Sequence, residues 1–275
     1  MKNTGRTEKI AGETDSVIAD GMGDVCCPPG SLPALAEDTT REVSGTVSEV
    51  GELTTYYVAP PAPTDRGILV IYDVHGFSGG RIKGVCDTLA AAGFHVAMPD
   101  VYKGENIGMK GGLKDNPAGR DWLKGHTEWS TLGPALDPAL GLLRAKGATK
   151  LGAVGFCWGA YGVFKLSADS KIAAGVSCHP SIKLGQEFFG ESVEAQAAAA
   201  KCAMCMLPAG NDPEYYTDGT LSKIIEGNGH ACEATAFPEM AHGWVPRGDA
   251  SDPAVARDVK AALEVASAFL TKHLT

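Results

Sequence analysis

Short apolar runs separated by helical segments are the feature that most restricts the fold of this chain. Continuous apolar residues occupy GILVIYDV (67–74), FHVAMPD (94–100), KLGAVGF (150–156), IAAGVSCHP (172–180) and CAMCMLPAG (202–210). Strands of a parallel sheet are buried on both faces, so their hydrophobicity is continuous rather than alternating. Strands that alternate with helices indicate an open, mostly parallel α/β sheet with helices on both faces. We therefore expect one α/β domain.

The segments around these runs complete the predicted order of elements. Thr46–Pro60 has the pattern of a hairpin, CEATAFPE (232–239) that of a last strand, and helical patterns cover 79–93, 136–147, 159–169 and 252–273. The stretch from Tyr102 to about Gly133 is long and rich in glycine, which predicts a structureless lid or binding element over the site. Residues 1–25 are polar and lack periodicity, so we expect a flexible extension before a domain at 26–275.

Composition restricts the class of function. The chain has 275 residues, of which 44% are hydrophobic and 21% charged, as in soluble globular proteins. Its net charge of −9 argues against nucleic-acid binding, which needs clustered Lys and Arg. No apolar run approaches the roughly 18 residues that cross a bilayer. Most of the eight cysteines lie in apolar stretches, which favours reduced thiols and a cytoplasmic location.

A cysteine stands between the third apolar run and the helix after it. Gly155-Phe156-Cys157-Trp158-Gly159 has the pattern G-x-S-x-G of a nucleophile elbow, with cysteine in place of serine. The nucleophile of an elbow occupies a strained strand-to-helix turn. The residues two positions before and after it must be glycine, because side chains there would clash with the strand and helix. The helix N-terminus also favours a thiolate. Taken alone, the motif equally fits a small buried core residue.

Two further residues follow Cys157 in the order nucleophile, acid, base that α/β-hydrolases use. Asp212 lies in the loop after 202–210, and His242 follows the last strand. Taken singly, the aspartate is typical of a turn and the histidine of a structural residue. Both follow strands of the same predicted sheet, at the edge where open α/β sheets bind ligands. The order and the shared edge together favour a catalytic triad.

The set YDVHGF, MPDVYKG, GFCWG, AGNDP and AHGW resembles the dienelactone hydrolase family, and CCPPGS (26–31) resembles the opening of its eukaryotic branch. The similarity runs from about residue 26 to the C-terminus. It implies a single-domain α/β-hydrolase that cleaves an ester or lactone through a triad of Cys157, His242 and Asp212. By this resemblance Cys157 attacks the carbonyl as a thiolate, His242 shuttles the proton and Asp212 orients the imidazole.

The resemblance also implies the groups around the triad. The oxyanion is expected on the backbone N–H groups of Trp158 and Val74. Asp73 matches a position where the family has an acid, often glutamate, that holds the resting cysteine away from its histidine; the aspartate is one methylene shorter. His75 stands where the eukaryotic branch commonly has an aromatic residue, and we interpret it as a wall of the pocket rather than a second base.

Four side chains are candidates for substrate binding. Arg247 and Arg81 can pair with a substrate carboxylate, because a guanidinium matches its geometry, and a structural role stays open for both. Trp122 lies in the predicted lid, which we expect to cover the cysteine together with Tyr215 or its neighbour Tyr216. The expected substrate is a small ester or lactone, with or without a carboxylate, and we expect a monomer or dimer.

The other cysteines are given no chemical role at this stage. Cys202 and Cys205 form a C-x-x-C pair in an apolar strand, and no second pair has zinc-site spacing. Cys26 and Cys27 are adjacent, an arrangement that does not easily ligate one metal. We therefore expect neither a metal nor another cofactor.

Two alternative functions stay open. The same triad suits a broad carboxylesterase or thioesterase, because function depends on the pocket rather than on the fold. A non-catalytic binding member of the family is disfavoured, since Cys157, Asp212 and His242 are all present.

Overall fold

One eight-stranded sheet organises the part of the chain that the computed structural model describes, residues 26–39 and 42–275. The predicted extension, 1–25, lies outside the described residues. The order across the sheet is β1-β2-β4-β3-β5-β6-β7-β8. The strands are β1 (Thr46–Val50), β2 (Leu53–Val58), β3 (Arg66–Ile71), β4 (His95–Pro99), β5 (Lys150–Phe156), β6 (Ala174–Cys178), β7 (Ala203–Leu207) and β8 (Cys232–Ala234).

The sheet is mostly parallel, as predicted. β1 and β2 form the expected antiparallel hairpin, β2 is antiparallel to β4, and the other neighbouring strands run parallel. Every residue of β6 and β7 is buried, and so is every residue of β5 after Lys150. Burial on both faces explains why these strands are continuous apolar runs in the sequence.

Helices cover both faces of the sheet. The helices of the described residues are α1 (Ile82–Ala91), α2 (Pro117–Thr127), α3 (Trp129–Ala145), α4 (Gly159–Ala168), α5 (Lys183–Phe189), α6 (Val193–Ala199), α7 (Thr220–Gly227), α8 (Trp244–Arg247) and α9 (Pro253–His273). On one face α1 and α9 contact each other, and on the other face α3, α4 and α6 pack in succession. Asp252 caps α9 as expected, because its side chain accepts a hydrogen bond from the N–H of Ala254.

The prediction of a structureless stretch from Tyr102 to Gly133 is wrong. It contains a 3₁₀ turn at Gly108–Lys110, helix α2 and the first turn of α3. Asn116 caps α2 by accepting a hydrogen bond from the N–H of Gly119. Two prolines inside α3 locally disfavour a continuous helix. Buried leucines before, between and after these prolines pack the helix against the sheet and keep it continuous. Within the described residues, no helix combines the length and apolarity that crossing a membrane requires.

Candidate active site

Cys157 occupies the sharp turn between β5 and α4. Its φ is 52°, in the left-handed region that residues other than glycine rarely adopt. The N–H of Cys157 donates to the carbonyl of Cys178 (3.1 Å), and its carbonyl accepts from the N–H of Ser181 (3.1 Å). The end of β6 and the residues after it therefore hold the strained turn in place.

The two glycines that flank the turn are required by contact with backbone. A Cβ on Gly155 would lie 2.5 Å from the carbonyl oxygen of Gly159, and one on Gly159 would lie 2.1 Å from that of Ile71. Backbone atoms cannot rotate away as a flexible side chain can. The predicted need for glycine at both positions is confirmed, and the second contact brings the end of β3 against the elbow.

His242 and Asp212 form a buried pair in the loops after β8 and β7. Nδ1 of His242 lies 2.6 Å from Oδ1 of Asp212, and both side chains are 0% exposed. Oδ2 of Asp212 accepts the N–H of Ala209 (2.7 Å), and the N–H of His242 donates to Oδ1 of Asn211 (2.7 Å). Nε2 of His242 has no hydrogen-bond partner among residues 26–39 and 42–275. The pair thus leaves Nε2 as the atom able to exchange a proton.

The thiol of Cys157 faces two cysteines from the start of the described chain. Its Sγ lies 3.1 Å from Sγ of Cys26 and 3.7 Å from Sγ of Cys27, and the hydroxyl of Ser181 lies 3.5 Å away. All three cysteines are fully buried. In this arrangement the thiol is not hydrogen-bonded to the imidazole of His242.

Burial and nearby charges set the titration of the site. Burial raises the pKa of the Cys157 thiol above its ordinary value. Burial opposes protonation of His242, but the negative charges of the Cys157 thiolate and Asp212 outweigh it and raise the pKa of His242 to about 9. The ring of His179 lies edge-on to that of His242, with centroids 4.9 Å apart. Burial, with the positive charges of His242 and Arg247, holds the pKa of His179 well below its ordinary value.

Asp73 and Arg247 form a second buried pair beside the elbow. Nη1 of Arg247 donates to Oδ2 of Asp73, and the two side chains are 0% and 3% exposed. Oδ1 of Asp73 also accepts the N–H of His75 (2.8 Å). Burial opposes the charge on Arg247, but the Asp73 carboxylate outweighs it and raises the pKa of the guanidinium. Within the described chain Asp73 makes no hydrogen bond to Cys157, and Nε and Nη2 of Arg247 have no acceptor.

Arg81 is used by the backbone rather than left open to a ligand. Its guanidinium donates to the carbonyls of Trp244 (3.2 Å), Val245 (2.9 Å) and Gly248. These carbonyls lie in and just after α8, and that of Trp244 also accepts the N–H of Gly248 (2.8 Å). Arg81, directly before α1, therefore connects α1 by hydrogen bonds to the segment that follows His242.

The aromatic candidates surround the elbow at different depths. Trp122, on α2, donates from Nε1 to Glu105 (2.9 Å) and packs its ring on Tyr102, with centroids 4.6 Å apart. Tyr102 in turn packs on Trp158 of the elbow (4.9 Å). Tyr215 is half-buried on a 3₁₀ turn at Glu214–Tyr216, in the loop that also carries Asp212.

A family model for dienelactone hydrolases matches residues 53–274, most of the chain. The chain belongs to the dienelactone hydrolase family. Hydrolase tropI of Talaromyces stipitatus is 29% identical over 220 residues, which cover 74% of this chain and 81% of that protein. The carboxymethylenebutenolidase homolog of Mus musculus is 28% identical over 144 residues, 51% of this chain and 57% of that protein.

Solved structures show the same fold. A putative dienelactone hydrolase from Klebsiella pneumoniae superposes with a TM-score of 0.63 at 16% identity, over 84% of this chain and 99% of that chain. The predicted α/β-hydrolase fold is confirmed. As a member of the dienelactone hydrolase family, the chain is an ester or lactone hydrolase that acts on small molecules.

Several residues at the site have no role in the sequence-based prediction. His179 and Ser181 follow β6, and Asn211 stands directly before Asp212. Their position after parallel strands, at the same edge as the other candidates, was the one available signal. For Cys26 and Cys27 the sequence held no such signal, because their contact with Cys157 spans about 130 residues of chain.

Proposed function

We propose that this protein hydrolyses small esters or lactones through Cys157 as nucleophile, His242 as base and Asp212 as the acid that orients it. The observation that carries the proposal is the buried Asp212–His242 contact of 2.6 Å, with Nε2 of His242 unpartnered among the described residues. That pair lies at the same sheet edge as a cysteine in a strained elbow. A core histidine would not need a buried carboxylate on one nitrogen and an unpartnered second nitrogen.

Proton transfer from Sγ of Cys157 to Nε2 of His242 generates the nucleophile. Burial raises the pKa of the thiol, and the thiolate forms together with an imidazolium whose pKa the thiolate charge itself helps to raise. Asp212 stabilises the resulting imidazolium. At rest the thiol lies 3.1 Å from Sγ of Cys26, and we propose that substrate binding releases it from this contact toward the imidazole.

The thiolate then adds to the substrate carbonyl. The backbone N–H groups of Trp158 and Val74 donate to no other described residue and are proposed as the oxyanion hole. The tetrahedral intermediate collapses to a thioester on Cys157, and the leaving oxygen takes the proton from His242. His242 then removes a proton from water, which attacks the thioester. The acid leaves, and the imidazolium returns the proton to the departing Cys157 thiolate.

A carboxylate-bearing lactone is the substrate class that we favour. Arg247 uses Nη1 for Asp73 and leaves Nε and Nη2 without an acceptor among the described residues. A buried guanidinium with open donors is suited to a carboxylate. The family resemblance implies that Asp73 restrains the resting thiol. We propose that it does so through Arg247, which donates a hydrogen bond to its carboxylate. Trp122 and Tyr215 are proposed as walls of the substrate pocket.

Broad esterase or thioesterase activity is the competing function. The residues that bind substrate distinguish this activity from lactone hydrolysis. An apolar pocket without an arginine donor would accept neutral esters equally well. We also propose one hydrolase domain at 26–275 in a reducing, cytoplasmic environment, supported by eight cysteines that are all free thiols.

The test is turnover of dienelactone, followed by its ultraviolet absorbance, beside neutral aryl esters and thioesters. We expect the wild type to prefer the lactone and Cys157→Ala to lose turnover of every substrate. Cys205→Ala is the matched control, because Cys205 is equally buried but lies on β7. Hydrolysis that persists in Cys157→Ala would overturn the nucleophile, and a preference for neutral esters would overturn the substrate class.

A further inference from the structure

Three thiols meet at the elbow, although the proposed hydrolysis uses one. Sγ of Cys157 lies 3.1 Å from Cys26 and 3.7 Å from Cys27, and the three sulfur atoms lie within 4.8 Å of one another. All three side chains are fully buried. Adjacent cysteines do not easily ligate one metal, but here both sulfurs reach the same third sulfur atom.

Hydrogen bonds to residues of the site hold this cysteine pair in place. The carbonyl of Cys26 accepts the hydroxyl of Ser181, which also lies 3.5 Å from Sγ of Cys157. Further along, the N–H of Leu32 donates to the carbonyl of His242 (2.9 Å). The segment is therefore held at Cys26 and again at Leu32, so the cluster is built into the fold.

The donors and their spacing fit a thiophilic ion. Thiolate sulfur selects Cu(I) and Zn(II), whereas hard cations take oxygen ligands. With Zn–S bonds of about 2.3 Å, the sulfurs of a tetrahedral site are roughly 3.8 Å apart. The Cys27–Cys157 separation of 3.7 Å already has this value, and the Cys26–Cys157 separation of 3.1 Å must open by less than about 1 Å.

Ion binding at this cluster depends on pH. Thiols must release their protons when they bind an ion, so affinity rises with pH. Three protein sulfurs leave the fourth position of a tetrahedral ion for an exogenous ligand.

We propose that Cys26, Cys27 and Cys157 form a binding site for one thiophilic d¹⁰ ion, Zn(II) or Cu(I). The bound ion occupies the sulfur lone pair with which Cys157 would attack a carbonyl. The loaded protein is therefore inactive as a hydrolase, and a chelator restores turnover. This consequence rests on the proposed function, whereas ion binding itself does not.

The experiment uses full-length protein, freed of metal and kept reduced with a phosphine. One equivalent of Zn(II) or Cu(I) is added in separate arms, unbound ion is removed by gel filtration, and competition with a chromophoric chelator gives the affinity. We expect one retained ion per chain in at least one arm. Cys27→Ser should weaken that binding by more than the roughly 10- to 100-fold that loss of an outer-shell partner costs.

Cys202→Ser is the control, because it removes the C-x-x-C pair on and beside β7, which is the competing thiol site in the sequence. The Cys202→Ser variant should bind the ion with the same affinity as the wild type. Circular dichroism checks the fold of each variant, and Cys26→Ser replaces Cys27→Ser if the latter does not fold. No retained ion in either arm, unchanged affinity without Cys27 or Cys26, or loss of binding in Cys202→Ser would each overturn the proposal.

The metal-free protein is assayed for hydrolysis in parallel, so that the two proposals fail separately. Retained ion that depends on Cys27, with no turnover of any substrate, supports the site and refutes the hydrolase mechanism. Turnover that depends on Cys157, with no retained ion, refutes the site and leaves the mechanism standing.

Discussion

Neutralising Arg247 is expected to destabilise the fold far more than a surface substitution would. Arg247→Met keeps an unbranched side chain but leaves the Asp73 carboxylate, which is 3% exposed, without its cation. Breaking a buried ion pair from one side costs about 3–5 kcal/mol, because an uncompensated charge stays buried. Asp73 keeps one hydrogen bond, from the N–H of His75, so we expect the lower end, about 3 kcal/mol.

Urea and thermal unfolding measure this loss. For chains of 150–250 residues each kcal/mol shifts Tm by about 2–4 °C, so we expect a decrease of roughly 6–12 °C. The double variant Asp73→Asn/Arg247→Met replaces the pair by two neutral side chains and should recover at least half of the loss. Lys260→Met is the control: it breaks the exposed pair with Glu264 and should cost less than about 0.5 kcal/mol.

Two results would refute this reasoning. A loss below about 1 kcal/mol in Arg247→Met would match an exposed ion pair, and Asp73 would then not be a buried charge in solution. A double variant less stable than Arg247→Met would mean that the carboxylate is not the source of the destabilisation.

Three further predictions concern other parts of the site. Gly159→Ala places a methyl group 2.1 Å from the carbonyl oxygen of Ile71, so it should abolish turnover and lower Tm; an unchanged Tm would contradict the elbow geometry. Burial and the charge of Arg247 lower the pKa of His75 from 6.5 to about 4, so its contribution to stability is complete above pH 6.5 and is lost as the pH falls toward 4. That contribution is at most about 3 kcal/mol, and urea unfolding of His75→Phe should show a flatter acid limb; a limb as steep as that of the wild type would exclude His75 as its source. Asp212→Asn should lower kcat by roughly 10⁴-fold, the scale known for a serine-protease triad; a loss below tenfold would remove Asp212 from the mechanism.

Local patterns predicted the scaffold well. β5 begins and ends where its apolar run does, because every residue after Lys150 is buried and the run therefore continues on both faces. The same patterns failed for α2 and the start of α3, where the glycine-rich sequence up to Gly133 predicted a structureless stretch. Burial of Leu132, Leu136 and Leu140 against the core outweighs that local preference.

At the site, chain order predicted which acid and base lie together but not what surrounds them. Asp212 and His242 follow strands of one sheet edge, so their pairing follows from the topology. Arg247 and Asp73 are 174 residues apart, and Cys26 and Cys157 are 131 apart. Such contacts depend on how loops fold over the sheet edge, which no local sequence pattern encodes.

Covalent capture of the acyl group tests the proposed nucleophile most directly. The protein is mixed with an activated aryl ester, quenched in acid within the first turnovers and analysed by intact-mass and peptide mass spectrometry. The mechanism predicts one acyl group on Cys157, absent in Cys157→Ala and retained in Cys205→Ala. Turnover with no adduct on Cys157, or an acyl group carried instead by Cys26 or Cys27, would contradict it.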